Sequence, residues 1–234
     1  MFYAKTAAES RALATPGAMA WCPVCGFPVR AKCGPIVAWH WAHVGRDDCD
    51  PWAERDTFWH RRWQSTVPEP RREVIFDGHR ADIVTANGAV VELQHSTISV
   101  DDIHARENFY GNMVWIFDVT KAYDEQRFDV RQRKDYFSFR WKHPRKTVGA
   151  CRRTVFLDLG DGRLLHLRRI HLRRPCGGWA QVVRKADLIW WFNGGPWPQH
   201  ISTSPEAQGK PEPDALAQAI ARLSPEQRVA LGIE

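Results

Sequence analysis

The run HRADIVTANGAVVELQHS, His79 to Ser96, constrains the fold of this chain more than any other stretch. Segments 80–85 and 89–94 are rich in β-branched residues, and Ala86-Asn87-Gly88 between them is a three-residue loop of the kind that closes with a left-handed glycine. If residue 85 pairs with 89, Asp82 stands opposite Glu92. Side chains alternate with period two, so Asp82, Val84, Val90, Glu92 and Gln94 share one face while Ala81, Ile83, Val91 and Leu93 share the other. One face is apolar core; the other gathers two carboxylates and an amide. Facing carboxylates repel, and burying them is costly unless a cation sits between them. A hard divalent ion, magnesium above all, satisfies that requirement. The competing reading gives Asp82 and Glu92 to surface ion pairs with Arg80 or Arg106.

Helical and strand patterns flank the hairpin. Asp50-Pro51 reads as a helix start, and over about 51–65 Trp52, Asp56, Trp59, His60 and Trp63 fall in one stripe. Asp56 and His60 sit one turn apart at its edge; Glu54, the competing acid, points away from the tryptophans. Strand 72–77 precedes the hairpin. After it, Ser99 caps a helix over 99–110 on which Arg106 and Tyr110 share a face, and MVWIFDV, 113–119, reads as a strand buried on both sides.

A second pattern lies upstream. Cys22-Pro23-Val24-Cys25-Gly26 has the form of a zinc knuckle, and His40 and His43, whose spacing suits a helical turn or tight loop, complete a tetrahedral set. Cys33 and Cys49 lie close enough to replace a histidine. Six cysteines in 234 residues are too few for a disulfide scaffold, so this grouping points to metal in a reducing compartment. Neither a membrane-span run nor a secretion signal is present, and a soluble cytoplasmic protein is expected.

The chain here resembles a known family. The order helix, strand, strand, strand, helix, strand over 51–119 is similar to the αβββαβ core of the PD-(D/E)xK nuclease superfamily. The resemblance narrows to the competence protein CoiA family, through Arg80-Ala81-Asp82, Glu92-Leu93-Gln94-His95-Ser96, Arg106 with Tyr110, Asp56 with His60, and Cys22, Cys25, His40 and His43. It covers roughly residues 18–120. It implies an α/β restriction-endonuclease-like core with an N-terminal zinc-binding module and a C-terminal β-rich and helical extension. It further implies catalytic Mg2+ or Mn2+ on Asp82, Glu92 and Asp56, with Gln94 where the superfamily commonly has Lys. Arg106 would meet the scissile phosphate and His60 act as base, acid or support for Asp56. Structural Zn2+ would sit on the Cys and His set.

The expected division is a zinc module at 1–49, the nuclease-like core at 50–125, a basic β-rich extension at 126–195, a Pro/Ser linker at 196–213 and C-terminal helices at 214–234. Much of the net charge of +6 comes from RQRKDYFSFRWKHPRK and RRIHLRR, where cations mingle with aromatics as on a phosphate-binding surface. Strands are expected at 136–141, 154–159 and 163–171. Trp190-Trp191-Phe192 is either core or a stacking platform. The functional expectation is a metal-dependent deoxyribonuclease acting on single- or double-stranded DNA, with a recombination or helicase partner on the C-terminal helices. The alternative is a non-catalytic, zinc-stabilised DNA-binding protein.

Overall fold

Small residues pack sheets closely, and the Ala-rich opening, which carries little pattern in the sequence, is built of short strands. The computed structural model describes residues 1–47, 49–53 and 57–201 and divides into two compact units, Met1–Val84 and Thr85–Glu234. In the first, β1 (Tyr3–Lys5), β2 (Arg11–Leu13), β3 (Met19–Trp21), β4 (Pro28–Lys32) and β5 (His40–His43) form a five-stranded sheet in the order β2-β1-β3-β4-β5. Met1, Ala4, Ala14, Ala20, Cys22, Val29 and Trp41 make its core.

The helix read over 51–65 starts later. It is α1 (Phe58–Gln64), capped by Thr57, whose hydroxyl accepts the His60 N–H. Asp50 is engaged elsewhere. Its carboxylate accepts the backbone N–H of Trp52 (3.0 Å) and of Arg80 (2.9 Å) and lies 2.9 Å from His79 Nδ1. These bonds tie Asp50 to a turn and to the backbone of Arg80, and 51–53 form that turn rather than a helix. Trp52 accordingly stacks on His79 at 3.4 Å rather than joining a helical stripe, and Trp63 is buried in the core.

β6 (Arg72–Phe76) and β7 (His79–Val84) close the first unit as an antiparallel pair. The register is the same on either side of Glu73, which itself drops out of the pairing and takes φ 44°. Its buried carboxylate accepts the N–H of Phe2 and of Tyr3, each at 2.9 Å, and pairs with Arg80 Nε at 3.4 Å. That positive φ is unfavourable for a residue with a Cβ, and two backbone bonds plus an ion pair hold it there.

The second unit opens on the expected loop: Thr85 N–H donates to Ala89 O at 2.9 Å, Gly88 N–H to Thr85 O at 3.0 Å, and Gly88 takes φ +76°. β8 (Val90–Gln94), α2 (Val100–Tyr110) and β9 (Met113–Asp118) follow as a strand-helix-strand crossover with β8 and β9 parallel. The remaining elements are α3 (Thr120–Asp124), β10 (Phe128–Gln132), β11 (Phe137–Trp141), β12 (Thr154–Asp158), β13 (Arg163–His171), β14 (Gly177–Arg184) and α4 (Lys185–Phe192). The strands of this unit lie in the order β10-β11-β14-β13-β12-β9-β8. Helix α4, which the sequence reading misses, has no side-chain cap to announce its start. It buries Leu188, Ile189, Trp191 and Phe192 and leaves Trp190 exposed, so most of the aromatic run is core. Gly177 and Gly178 have no room for a side chain: a Cβ would collide with the backbone oxygen of Phe139 and of Arg169 respectively.

His166 on β13 is buried, its Nδ1 lying 3.0 Å from His200 Nε2. Burial first, then the charges of Arg168 and His200, push its pKa down from 6.5 to about 4. Between those values the unfolded chain binds the proton and the folded one does not, so stability falls as pH drops through that window. A melting series from pH 7 to 4 should show this fall, and His166→Gln should flatten it; an unchanged slope would remove His166 as its source. Among the described residues no helix is long and apolar enough to cross a membrane.

Candidate functional site

The tight turn after β3 aims two thiols at one point. Cys22, Cys25, His43 and Cys49 offer ligand atoms that all lie within 4.8 Å of one another. Cys22 Sγ is 3.7 Å from Cys49 Sγ, and Cys25 Sγ is 3.3 Å from His43 Nε2. A zinc–sulfur bond of about 2.3 Å puts two sulfurs of a tetrahedral site roughly 3.8 Å apart, so this Cys3His cluster fits structural zinc.

His40 is outside it. The sequence reading places His40 and His43 on a turn, where a spacing of three shares a face; they lie instead on β5, where residues three apart face opposite ways. Trp41 and His43 point into the unit, while His40 Nδ1 donates to Ala38 O at 2.8 Å. Cys49, the alternative the spacing left open, takes the fourth position, and Cys33 packs beside the core without joining the cluster.

The thiols do not ionise alike. At Cys25 burial resists ionisation, but the Phe27 N–H, the Cys49 and Cys22 thiols and the Arg46 charge outweigh it and lower the pKa. Burial first, then the Cys25 and Cys22 thiols, push Cys49 up to about 12. Crowded thiols oppose one another's charge, and a dication in their midst reverses that opposition.

The residues assigned to catalysis fall in both units. In the first, Asp82 is half-buried on β7, on the face opposite the buried Ala81 and Ile83. His60 is buried on α1 with Nδ1 2.8 Å from Thr57 Oγ1. Asp56 and Glu54 lie outside the described residues, as do the C-terminal helices expected at 214–234 and most of the linker.

In the second unit β8 is buried along its whole length, and Glu92 and Gln94 share one face of it, where Arg106 of α2 reaches Glu92. Arg106 Nη1 donates to Glu92 Oε2 at 2.7 Å, both side chains being buried, and the guanidinium lies 5.9 Å from the Trp115 ring centroid. Of the partners open to Arg106, the structure therefore pairs it with Glu92. Gln94 is oriented by its Nε2 donating to Ser96 O at 3.2 Å.

Three polar residues nearby were not singled out from sequence. Arg145 Nη1 donates to the Gln94 backbone O at 3.0 Å, bringing a second guanidinium to the end of β8. His95 Nδ1 donates to Asp118 Oδ2 at 2.7 Å. Burial raises the Asp118 pKa, but the bonds from His95 and Thr120 more than reverse this, and it titrates below the usual range. The signal for the pair was a histidine inside the Glu-Leu-Gln-His-Ser run and an acid ending an apolar strand. Arg145, fifty-one residues from its partner, left no local signal.

Sulfur and imidazole donors suit zinc at the Cys3His cluster. Residues 18–51, which contain the whole Cys3His set, match the family model described as Competence protein CoiA, N-terminal domain. No curated protein and no solved structure matches the chain. Through the segment that carries the Cys3His cluster, then, the chain is similar to the N-terminal domain of the competence protein CoiA.

Proposed function

We propose that this protein is a metal-dependent deoxyribonuclease of DNA processing, resembling the CoiA-like nucleases of DNA uptake, recombination or phage defence. The observation that carries the reading is a buried glutamate and glutamine two residues apart on an otherwise apolar parallel strand, with Arg106 bonded to the glutamate. A fold does not need that set for packing, since an apolar pair there costs less. The element order α1, β6, β7, β8, α2, β9 supports it, being the order expected of the αβββαβ core.

Asp82 and Glu92, with Asp56, would hold Mg2+ or Mn2+, which when bound polarises the phosphate and lowers the pKa of a water. Arg106 fixes the glutamate and carries positive charge toward the scissile phosphate. Gln94, its amide set by Ser96, orients the attacking water but brings no charge, and Arg145 at the strand's end stands in for the missing lysine. His60, set by Thr57, is the proton-transfer group or the support of Asp56.

One observation favours the second reading, a non-catalytic, zinc-stabilised DNA-binding protein: the Glu92–Arg106 pair balances its own charge without a metal. The test is cleavage of linear single-stranded, linear duplex and supercoiled DNA with Mg2+, Mn2+ or EDTA, with Asp82→Ala alongside. Metal-dependent cleavage that falls to background in the mutant is expected. Cleavage at an undiminished rate in Asp82→Ala overturns the assignment, and gel retardation without cleavage of any substrate turns the reading to the binding protein.

A further inference from the structure

Antiparallel register places chosen side chains in rows across a sheet, and one such face in the second unit has an unusual composition. Across β10, β11, β14 and β13 one rung reads Arg131, Ser138, Trp179, Arg169, and the next reads Asp129, Arg140, Gly177, His171. The opposite face of the same strands is core: Phe128, Phe139, Trp141 and Ala180 are buried, and the Phe128 and Phe139 rings stack at 5.2 Å.

The outer face has no such reason to be aromatic. Trp179 is 39% exposed and Tyr136 41% exposed, their centroids 5.9 Å apart with the rings at 70°. One exposed ring needs no explanation; two adjoining ones ringed by arginines do. Adjoining hollows of about 240 and 570 Å3 lie on this face, the first lined by Arg131, Arg133 and Arg140, the second by Tyr136, Arg169 and Trp179. They share Ser138, His171 and Gly178, so they form one continuous surface. Among the described residues Asp129 is its single lining acid, and it is paired with Arg131 at 2.9 Å. Gly177, beside Trp179, leaves a gap in the rows where no side chain rises.

We propose that this face of β10-β11-β14-β13 is a platform for single-stranded nucleic acid, with bases stacking on Trp179 and Tyr136 and phosphates meeting Arg131, Arg133, Arg140 and Arg169. Arginines at the rim and rings at the centre match a chain whose phosphates run outside its bases. Paired bases in a duplex keep their ring faces covered, so the rings select single strands. The face spans three inter-strand gaps, about 14 Å at the usual strand spacing, enough for a short run of nucleotides. The inference shares with the nuclease reading a nucleic-acid partner, but uses none of its catalytic residues.

Its test is fluorescence anisotropy with labelled dT20, U20 and a 20-base-pair duplex, using the whole chain at two salt concentrations. Wild-type protein should bind a single strand more tightly than the duplex. The double variant Trp179→Ala/Tyr136→Ala should weaken dT20 binding by about 30-fold or more, since two stacked bases at roughly 1–3 kcal/mol each contribute about 2 kcal/mol at the least. Trp179→Phe should keep most of the affinity, and Arg140→Gln/Arg169→Gln should make the salt dependence shallower by about 1.4 in slope. U20 behaving as dT20 does would extend the platform to RNA. An unchanged affinity in the double variant at an unchanged melting temperature, or a duplex preference in the wild type, overturns the proposal. Measuring dT20 binding in EDTA separates the two readings: the wild type should bind, and the double variant should lose affinity, whether or not the protein cleaves DNA when metal is supplied.

Discussion

The Cys49→Ser protein is expected to purify with far less than one zinc per chain and with its first unit loosened, while His40→Ala keeps its metal and its fold. The four clustered ligands come from three places in the first unit: the turn after β3, strand β5 and the stretch that leads to Asp50. Structural zinc in small modules contributes on the order of 10–16 kcal/mol, as much as a whole domain's usual stability of about 5–15 kcal/mol. Strands of three residues around a core of seven buried residues, three of them alanine, have little else of that size to lean on. Metal analysis by plasma mass spectrometry, with hydrogen exchange at Ala20, Val29 and Trp41, checks both halves. Equal zinc in Cys49→Ser and wild type, or loss of zinc in His40→Ala, would falsify the ligand set.

Arg106→Ala should lower stability by about 3–5 kcal/mol, the cost of leaving one member of a buried ion pair behind. At roughly 2–4 °C per kcal/mol for a chain of this size, the melting temperature drops by about 10 °C. Glu92→Gln in the same protein should recover part of that loss, because no buried charge then remains unmatched; the coupling should be on the order of 1–3 kcal/mol. Magnesium offers a further readout. If Glu92 takes a divalent ion, millimolar Mg2+ should raise the melting temperature of Arg106→Ala more than that of the wild type, the dication supplying the missing charge. A variant that melts like the wild type would place the Arg106–Glu92 bond among contacts of no energetic weight.

Legibility in the sequence followed the range of the interactions. The loop at Ala86-Asn87-Gly88 depends on one backbone conformation that glycine favours, and α2 on a serine that caps it, so both were readable from a few adjacent letters. Asp50 was misread because a good capping residue is also a good acceptor for any donor the fold brings near, here the amides of Trp52 and Arg80. His40 was misplaced because a spacing of three shares a face on a helix and not on a strand, and HWAH does not say which it will be. Of the acidic strand, Glu92 and Gln94 were visible through alternation. Their companions Arg106 and Arg145 were another matter: Arg106 was a candidate with several open partners, and Arg145 is joined to Gln94 only by the folding of the chain between them.

The sheet of the second unit also carries a history of its assembly. β12 and β13 are neighbours in sequence and pair across a short turn, as do β10 and β11, so each pair can form early from local contacts. The joint between β11 and β14 cannot: Phe137 must find Ala180, and the loop between them has to be closed before any of its bonds form. The aromatic and arginine rows on the outer face are divided by that seam, with Tyr136 and Arg140 on one side and Trp179 and Arg169 on the other. In a refolding experiment the surface should therefore emerge with the slowest cooperative phase, after secondary structure is already in place.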